Sequence, residues 1–439
     1  MADRDLAENP VRELIRRFFI TFLLGVLVYR TGVYIPIPGI DAEALKALVH
    51  GNDSGDGALA AILRYADMFN GGAIAQASIF GLGITPYISA SIIFQLLTFS
   101  IPALKALQKE GESGRRKINQ YTRYATLAIC IVQATIAAIA LSRFSANGVV
   151  LVTFEPKWLF VVQSVLVITT GSMLILWIAE QITKFGIGNG VSLIIMFGIL
   201  AYLPTAFTGL NDLPKILSVI IVALLIIAAI VLVVQAVRRV NLEQQRRVQG
   251  NKVYGGAQTT LPLKLNQANV IPVIFASPIM VVIGFAAGKI AGLDQIVAYG
   301  TPGHRYIFAG LIVAFTYFYI SITFDLLDMS NHFKQSGFFV RGIKPGKNTV
   351  DYLSRILTRI TFVGAIFLAV IAILPETIGT FLGMSTHSST VLLGGTGLLI
   401  VVGVTLDVMQ KVGAFFLAHQ YQGLAGAADG SAKKSGKRF

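Results

Sequence analysis

The sequence is poor in charged residues and almost without cysteine. Only 13% of its 439 residues are charged and 54% belong to the hydrophobic set, whereas soluble domains carry about 25% charged residues. This composition excludes a soluble globular enzyme and a disordered chain. The single cysteine, Cys130, has no partner within the chain, which excludes a disulfide framework and a cysteine zinc site. The five histidines are scattered and offer no metal-ligand spacing.

Ionisable side chains are also nearly missing from the interiors of the long apolar stretches. Glu180, Asp325, Glu376 and Asp407 all lie at predicted ends of such stretches, whereas ion-coupled transporters usually retain ionisable residues within their spans. The sequence has no phosphate-binding loop, no nucleophile elbow and no His-Glu-x-x-His helix. We therefore expect no catalytic residues, no metal site, no cofactor and no enzyme activity, and we expect another protein to supply the energy for any transport.

Long windows that are free or almost free of charge are what the sequence has instead. A hydrocarbon core about 30 Å thick requires about 20 apolar residues of helix to cross it, and ten windows meet this requirement. The sequence therefore predicts an all-α polytopic membrane protein with ten transmembrane helices. The windows lie near residues 18–37, 74–100, 124–142, 158–179, 190–209, 216–237, 270–288, 306–324, 360–377 and 388–406.

Lysine and arginine are distributed unequally between the two sides of these windows. The two termini and the even-numbered loops together hold 28 of the 36 basic residues, and cytoplasmic segments carry such an excess. Both termini are therefore predicted to be cytoplasmic. Two even-numbered loops, 238–264 and 330–359, are longer than a helix connection requires, which indicates docking surfaces. Their charge is equally typical of loops that lie on anionic lipid headgroups.

Three predicted spans are interrupted by glycine, asparagine or proline. The interruptions are Gly71-Gly72, which separates a short outer segment from the second span, Gly186–Gly190 before the fifth, and Asn266–Pro272 at the seventh. Irregular backbone at membrane depth is tolerated only against protein or a water-filled cavity. The sequence therefore predicts a cavity within the helix bundle.

The residues beside two of these interruptions indicate that the cavity has an apolar constriction. Ile84 and Ile88 are four residues apart, as are Val191 and Ile195, so each pair shares one face of its helix. Residues that face lipid or pack in a core have the same spacing, and the spacing alone favours that second interpretation.

Eight short segments are spread along the chain from the first predicted span to the tenth. They are IPIPGI at 35–40, FNGG at 69–72, GITPYIS at 83–89, KEGESGRRK at 109–117, QYTRY at 120–124, GIGNG at 186–190, LPLKLN at 261–266 and GGT at 394–396. Together they resemble the SecY family of bacterial protein-conducting channels. The resemblance implies two inverted, pseudo-symmetric five-helix halves that form an hourglass pore.

The resemblance also implies the extent of each part. The amino-terminal half is 1–209 and includes a plug at about 62–76, the carboxyl-terminal half is 210–415, and 416–439 is a cytoplasmic tail. An apolar ring at the waist of the pore blocks ions but yields to a passing polypeptide. By alignment of the motifs the ring residues are Ile84, Ile88, Val191, Ile195, Ile274 and Ile400.

Two moving parts follow from the same resemblance. Gly71 and Gly72 are the hinge of the plug, since glycine accepts backbone angles that other residues avoid. A lateral gate between the second and seventh spans releases hydrophobic segments to lipid. Its polar cluster is formed by Ser89, Gln133 and Asn266, whose hydrogen bonds contribute about 1 kcal/mol each.

The partners implied are those of a secretory channel in the bacterial plasma membrane. They are small SecE-like and SecG-like membrane subunits, the SecA motor ATPase, the ribosome, signal sequences and nascent polypeptides, and anionic lipids. The motor and ribosome dock on the two basic loops, through Arg246, Arg247, Lys252, Arg341 and Lys344. Lys344 replaces the arginine usual in the family, and lysine lacks the bidentate guanidinium fork. Our hypothesis is that Arg341 makes the directional contact instead.

Two other functions remain open on the sequence alone. A small-solute secondary transporter would also have ten spans with broken helices, although the missing intramembrane charges argue against it. An insertase or assembly scaffold would have a lateral gate but no transmembrane pore.

Overall fold

In the computed structural model, the chain forms two compact units. One unit comprises Met1–Pro204 with Val404–Phe439, and the other comprises Thr205–Gly403. The structure describes residues 10–50, 67, 70–143, 145–146, 149–150, 152, 154–207, 213–244, 247–249, 252–254, 258–287, 301–381 and 395–435.

The amino-terminal part of the chain is almost entirely helical. Helix α1 (Pro10–Phe22) continues through a π-helical stretch at Leu23–Val28 into α2 (Tyr29–Val33), so that one helical rod extends over 10–33. A two-stranded antiparallel pair, β1 (Ser145–Ala146) and β2 (Val149–Val150), lies between two long helices. The helices are α1 (Pro10–Phe22), α2 (Tyr29–Val33), α3 (Ala42–His50), α4 (Thr85–Ser100), α5 (Pro102–Lys109), α6 (Glu112–Arg143), α7 (Lys157–Phe185) and α8 (Gly190–Phe207).

The described residues after Phe207 form six helices and five strands. The helices are α9 (Leu213–Gln235), α10 (Ile271–Ala287), α11 (Pro302–Thr323), α12 (Leu326–Gln335), α13 (Lys347–Phe381) and α14 (Gly395–Ser435). The strands are β3 (Val237–Gln244), β4 (Arg247–Gln249), β5 (Lys252–Tyr254), β6 (Gln258–Lys264) and β7 (Phe338–Val340).

Within the described residues, six helices are long and apolar enough to cross a membrane. A seventh span is added if α4 and α5, which meet at an angle of 99°, are taken as one broken span. The three other predicted spans fall on the rod at 10–33 and on α8 and α10, which are shorter or less uniformly apolar. The chain is therefore a multi-pass membrane protein with at least six candidate spans.

Helix α6 is the centre of the first unit, because it packs on both α4 and α7. Cys130 and Ala134 are fully buried on its inner face. One ion pair joins it to α7: the Arg123 guanidinium donates to both carboxylate oxygens of Glu180, at 2.6 and 2.7 Å. These contacts hold three helices in fixed register, and two of the residues predicted to line the pore lie just before α4 and in its first turn.

The two long basic loops contribute to one antiparallel sheet in the second unit, with strand order β6-β3-β7. Strand β3 pairs with β6 over its length and with β7 through Leu242↔Val340 and Gln244↔Phe338. A buried apolar cluster lies beneath the sheet, and Tyr352 and Ile356 of α13 pack against it. The all-helical prediction thus misses these loops, since their strands are held by partners distant in sequence. The cluster is formed by Val240, Leu242, Leu263 and Val340.

Candidate functional site

The predicted interruptions of the helices are present in the structure. Gly71 and Gly72 have φ of 67° and 87°, Gly188 has φ of 92°, and Asn269 has φ of 55°. Glycine adopts such left-handed angles without steric cost, whereas other residues rarely do. Helices α4, α8 and α10 each begin just after one of these irregular segments, so the described parts of the chain confirm all three breaks.

The second predicted span begins later than the sequence indicated. Residues 74–84 were expected to be helical because they are apolar, but they form consecutive turns, and α4 starts only at Thr85. Long-range hydrogen bonds hold the turns: the Ser78 hydroxyl donates to Gly32 O at 2.9 Å, and the Ile37 amide donates to Ala77 O at 2.7 Å. Contacts with α2 and its following loop therefore override the helical tendency of this segment.

The segment at Gly71 and Gly72, the predicted hinge, is tied to the helical rod by side chains of α2. The Arg30 guanidinium donates to Gly71 O at 2.8 Å, and the Tyr29 hydroxyl donates to Asn70 O at 3.2 Å. Residues 62–66, 68 and 69 of the predicted plug lie outside the described residues. The described part, 67 and 70–76, is thus anchored at its hinge.

Asp67 is a buried carboxylate beside this hinge, and the sequence analysis did not select it. Its Oδ1 accepts hydrogen bonds from the amides of Ile74 at 2.8 Å and Ala75 at 2.9 Å. Its Oδ2 is buried without a hydrogen-bond partner among the described residues. Burial raises the pKa of Asp67 to about 6, against the smaller lowering effect of the two amides. An acidic residue within an apolar segment next to a glycine pair is the signal that could have found it.

The first two predicted ring residues lie at the start of α4. Ile84 is the residue before the helix and is 5% exposed, and Ile88, whose amide donates to Ile84 O, is half-buried. Residues four apart on a helix share a face. The turns before α4 therefore place both isoleucines at the end of a short helix that begins inside the apolar region.

Val191 and Ile195 occupy the same position at the start of α8. Val191 is half-buried and Ile195 is 8% exposed. The preceding turn is fixed from two directions, since the Thr21 hydroxyl oxygen accepts from the Ile187 amide at 3.0 Å and the Thr183 hydroxyl oxygen accepts from the Gly190 amide at 2.8 Å. The rod and α7 thus determine where α8 begins.

The other two predicted ring residues belong to the second unit. Ile274 lies in the first turn of α10 and is half-buried, and Ile400 lies in α14 and is 2% exposed. Each again follows an irregular or undescribed segment by only a few residues.

The predicted gate residues have local partners. The Ser89 hydroxyl donates to Thr85 O of its own helix at 3.1 Å, and the Asn266 amide group donates to Asn269 O at 3.1 Å. Gln133 Oε1 and Asn266 Oδ1 are buried without a hydrogen-bond partner among the described residues. Such unpaired groups in an apolar region are costly, so both positions can accept a hydrogen bond from a further group.

The predicted docking residues lie on or near the sheet. Arg341 follows β7; its side chain is 81% exposed, and its Nε lies 3.8 Å from Glu243 Oε1 on β3. Lys344 is exposed in the turn that leads to α13, where the Thr349 hydroxyl donates to Lys344 O at 3.1 Å. Arg247 and Lys252 lie on β4 and β5, and Arg246 falls outside the described residues.

Among the described residues, no group of three or more His, Cys, Asp or Glu side chains could hold a metal ion.

Comparison with known proteins gives the family. The SecY family model matches residues 78–409. A Protein translocase subunit SecY from Thermotoga maritima is 40% identical over 424 residues, covering 94% of this chain and 95% of that protein. Its counterpart from Escherichia coli K12 is 39% identical and covers 96% of each chain.

Solved structures show the same fold at lower identity. "The structure of a protein conducting channel" superposes with a TM-score of 0.62 at 18% identity, over 92% of this chain and 93% of that one. Sec61 in the canine ribosome-channel complex superposes with a TM-score of 0.58 at 17% identity, with the same coverage. With a family match over most of its length and relatives at about 40% identity along nearly all of it, the chain belongs to the SecY family.

Proposed function

We propose that the chain is the protein-conducting channel subunit of a general secretory translocase. The observation that carries this proposal is the pair of apolar helices α4 and α8, which begin beside Ile84 and Val191 after non-helical segments. A helix that begins at membrane depth requires a cavity or protein beside its free end. The SecY relatives and the fold of a protein-conducting channel support the same function.

The finer architecture is part of this proposal. Ten transmembrane helices form two inverted halves, 1–209 and 210–415, around an hourglass pore with its apolar ring at the waist. The side chains of Ile84, Ile88, Val191, Ile195, Ile274 and Ile400 keep the resting waist free of water and part around an extended chain. A segment at about 62–76 closes the pore from the outside and swings on Gly71 and Gly72.

The lateral gate and the partners complete the mechanism. Ser89, Gln133 and Asn266 hold the gate closed with hydrogen bonds of about 1 kcal/mol each, weak enough for a signal sequence to displace. Both termini lie in the bacterial cytoplasm, where SecA or a ribosome docks on the basic loops and supplies the energy. SecE-like and SecG-like subunits and anionic lipids surround the channel.

Disulfide crosslinking to a translocating chain tests the channel. In a Cys130→Ser background, Ile84→Cys is combined with a single cysteine in a stalled secretory chain. Because a thiol held in the same pore has a local concentration near millimolar, crosslinking is expected to exceed that of a control by about ten-fold or more. The control is Leu166→Cys on α7, whose side chain is 64% exposed on the unit surface.

Equal crosslinking at both positions would contradict the channel. If the stalled chain is engaged but crosslinks at neither position, the pore-less scaffold becomes the better explanation. Gradient-coupled, saturable uptake of a small molecule by the purified protein would instead support a transporter.

Loss of Arg341 is expected to impair motor-driven translocation more than loss of Lys344. A charge-assisted hydrogen bond to a partner contributes about 1.5–3 kcal/mol, so Arg341→Ala should slow translocation by roughly ten-fold or more. Lys344→Ala should slow it by only a few-fold, because it supplies general charge, and Arg341→Lys should not rescue the rate.

Translocation of a secretory precursor into inverted membrane vesicles measures these rates. Lys347→Ala, an exposed residue at the start of α13, is the control and should leave the rate unchanged. Normal rates in both Arg341→Ala and Lys344→Ala would show that this turn is not the docking point.

A further inference from the structure

We infer that Asp67 is a positioning residue that fastens the closed plug at its hinge, and that it fastens the plug most firmly when its carboxyl group carries a proton. This inference rests on the proposed channel function. It adds a residue and a chemical condition for closure, neither of which follows from the hinge glycines alone.

Asp67 fastens the hinge through both its backbone and its side chain. Its carbonyl oxygen accepts from the amides of Asn70 at 3.2 Å and Gly72 at 3.0 Å, in front of and within the hinge. Its Oδ1 accepts from Ile74 and Ala75, behind the hinge. Asp67 and residues 70–75 are therefore joined by hydrogen bonds into a closed loop around Gly71 and Gly72, and rotation about either glycine must break at least part of it.

The surroundings of this loop hold it against the rest of the first unit. Arg30 donates to Gly71 O from one side. A side chain added at Gly71 would press on the backbone of Gly198 in α8, and one at Gly72 would contact the Tyr202 ring. The loop thus fills the space between α2 and α8, and Asp67 at its centre is fully buried.

The charge state of Asp67 matters because only one of its oxygens is satisfied. Oδ2 is buried without a partner among the described residues, and an ionised carboxylate is disfavoured where water and donors are lacking. A protonated carboxyl group retains Oδ1 as the acceptor for both amides and removes the buried charge. When the plug swings out, water reaches the carboxylate, and the proton is released.

Other ionisable groups near the loop belong to α2, α8 and α3. Tyr29 and Arg30 face it from α2, and Tyr202 faces it from α8 beside Gly72. Helix α3, whose Leu45 and Val49 pack on Ala75 and Ala77, carries Glu43 and Lys46. The turns at 70–84 contain no ionisable side chain.

The direction of the pH effect follows from linkage. The pKa of Asp67 is about 6 in the closed loop and near its ordinary value of 3.8 when exposed, so the closed state binds the proton more tightly. Stabilisation of closure is complete below about pH 4, is lost as the pH rises to about 6, and changes little above that. The ratio of open to closed channels is expected to rise by up to about 100-fold over this interval.

Resting ion conductance of the reconstituted translocase complex in a planar bilayer tests the inference, with the pH of the outer chamber stepped from 4 to 7. The wild-type conductance should rise with pH. Asp67→Asn keeps an oxygen acceptor and has no charge, so its conductance should stay low at every pH. Asp67→Ala lacks the acceptor and should conduct at every pH.

Asp41→Asn is the matched control. Asp41 Oδ1 also accepts from two amides, those of Glu43 at 3.0 Å and Ala44 at 3.2 Å, but Asp41 is exposed. Its variant should retain the wild-type pH profile. A wild-type conductance that does not change with pH, or an unchanged pH profile in Asp67→Asn, would overturn the inference.

A further variant separates this inference from the channel itself. Deletion of 67–76 removes the hinge and should open a constant leak if the chain forms a pore. A leak in the deletion variant without pH dependence in the wild type would overturn the Asp67 inference alone. No leak in the deletion variant would contradict the proposed channel.

Discussion

Gly190→Ala is expected to destabilise the first unit strongly. A methyl group at this position would overlap the carbonyl oxygen of Ala179 in α7 and crowd the Thr183 hydroxyl. Overpacking typically costs about 1–3 kcal/mol, and more when the obstacle cannot move. A backbone carbonyl inside a packed helix is such an obstacle, so we expect a loss at or above the upper end of this range.

The consequence should extend to the pore, because Gly190 is the first residue of α8 and Val191 is the next. Displacing this helix start would also break the bond between the Gly190 amide and Thr183. The midpoint of thermal unfolding in detergent, together with resting conductance, measures both effects. A lower midpoint with a raised leak is the expected result.

Gly413→Ala is the matched control for this substitution. Gly413 lies within α14, and a methyl group there would meet nothing within 4 Å. Since alanine favours a helix interior by about 1 kcal/mol over glycine, this variant should be unchanged or slightly more stable. Equal midpoints for the two variants would show that the junction of α7 and α8 is looser than the structure indicates.

Val240→Asp is expected to unfold the β6-β3-β7 sheet of the second unit. Val240 is 4% exposed in the apolar cluster beneath β3, and an unpaired carboxylate there costs several kcal/mol. Because β3 is the middle strand, losing it separates β6 from β7. Amide hydrogen exchange should accelerate by about 100-fold or more in 237–264 and in 338–340 together, corresponding to about 3 kcal/mol.

Asn241→Asp tests whether the effect belongs to the buried face. Neighbouring residues of a strand point to opposite faces, and Asn241 is exposed, so it receives the same carboxylate without burial. Its exchange rates should remain close to those of the wild type. Faster exchange in only one of the two segments of Val240→Asp would show that the loops do not fold as one unit.

The local features of the fold could be predicted from the sequence, whereas those made by distant partners could not. Glycine, asparagine and proline affect the backbone at their own positions, so the breaks at Gly71, Gly188 and Asn269 could be predicted from the local sequence. The turns at 74–84 depend on hydrogen bonds from Ser78 and Ile37 to segments about 40 residues away. Apolar composition alone indicates helix there.

The candidate site shows the same division. Ile84, Ile88, Val191 and Ile195 could be placed on helix faces from their spacing, and the family resemblance supplied their proposed role. Asp67 and Thr21 were missed, since a carboxylate and a hydroxyl acquire their roles here only through the backbone groups they bind. Those groups belong to Ile74, Ala75 and Ile187.

The order of strands in the β6-β3-β7 sheet has a consequence for synthesis of the chain. Strand β7 begins at Phe338 and β6 ends at Lys264, so at 5–20 residues per second the ribosome needs about 4–15 s to make the intervening roughly 70 residues. During this interval the hairpin of β3 and β6 has a free edge. The free edge belongs to β3, which carries Arg238, Arg239, Glu243 and Gln244. Charged edge strands resist pairing with other chains. The nascent pair of β3 and β6 is therefore protected from pairing with other chains until β7 has been made and pairs with β3 at Leu242.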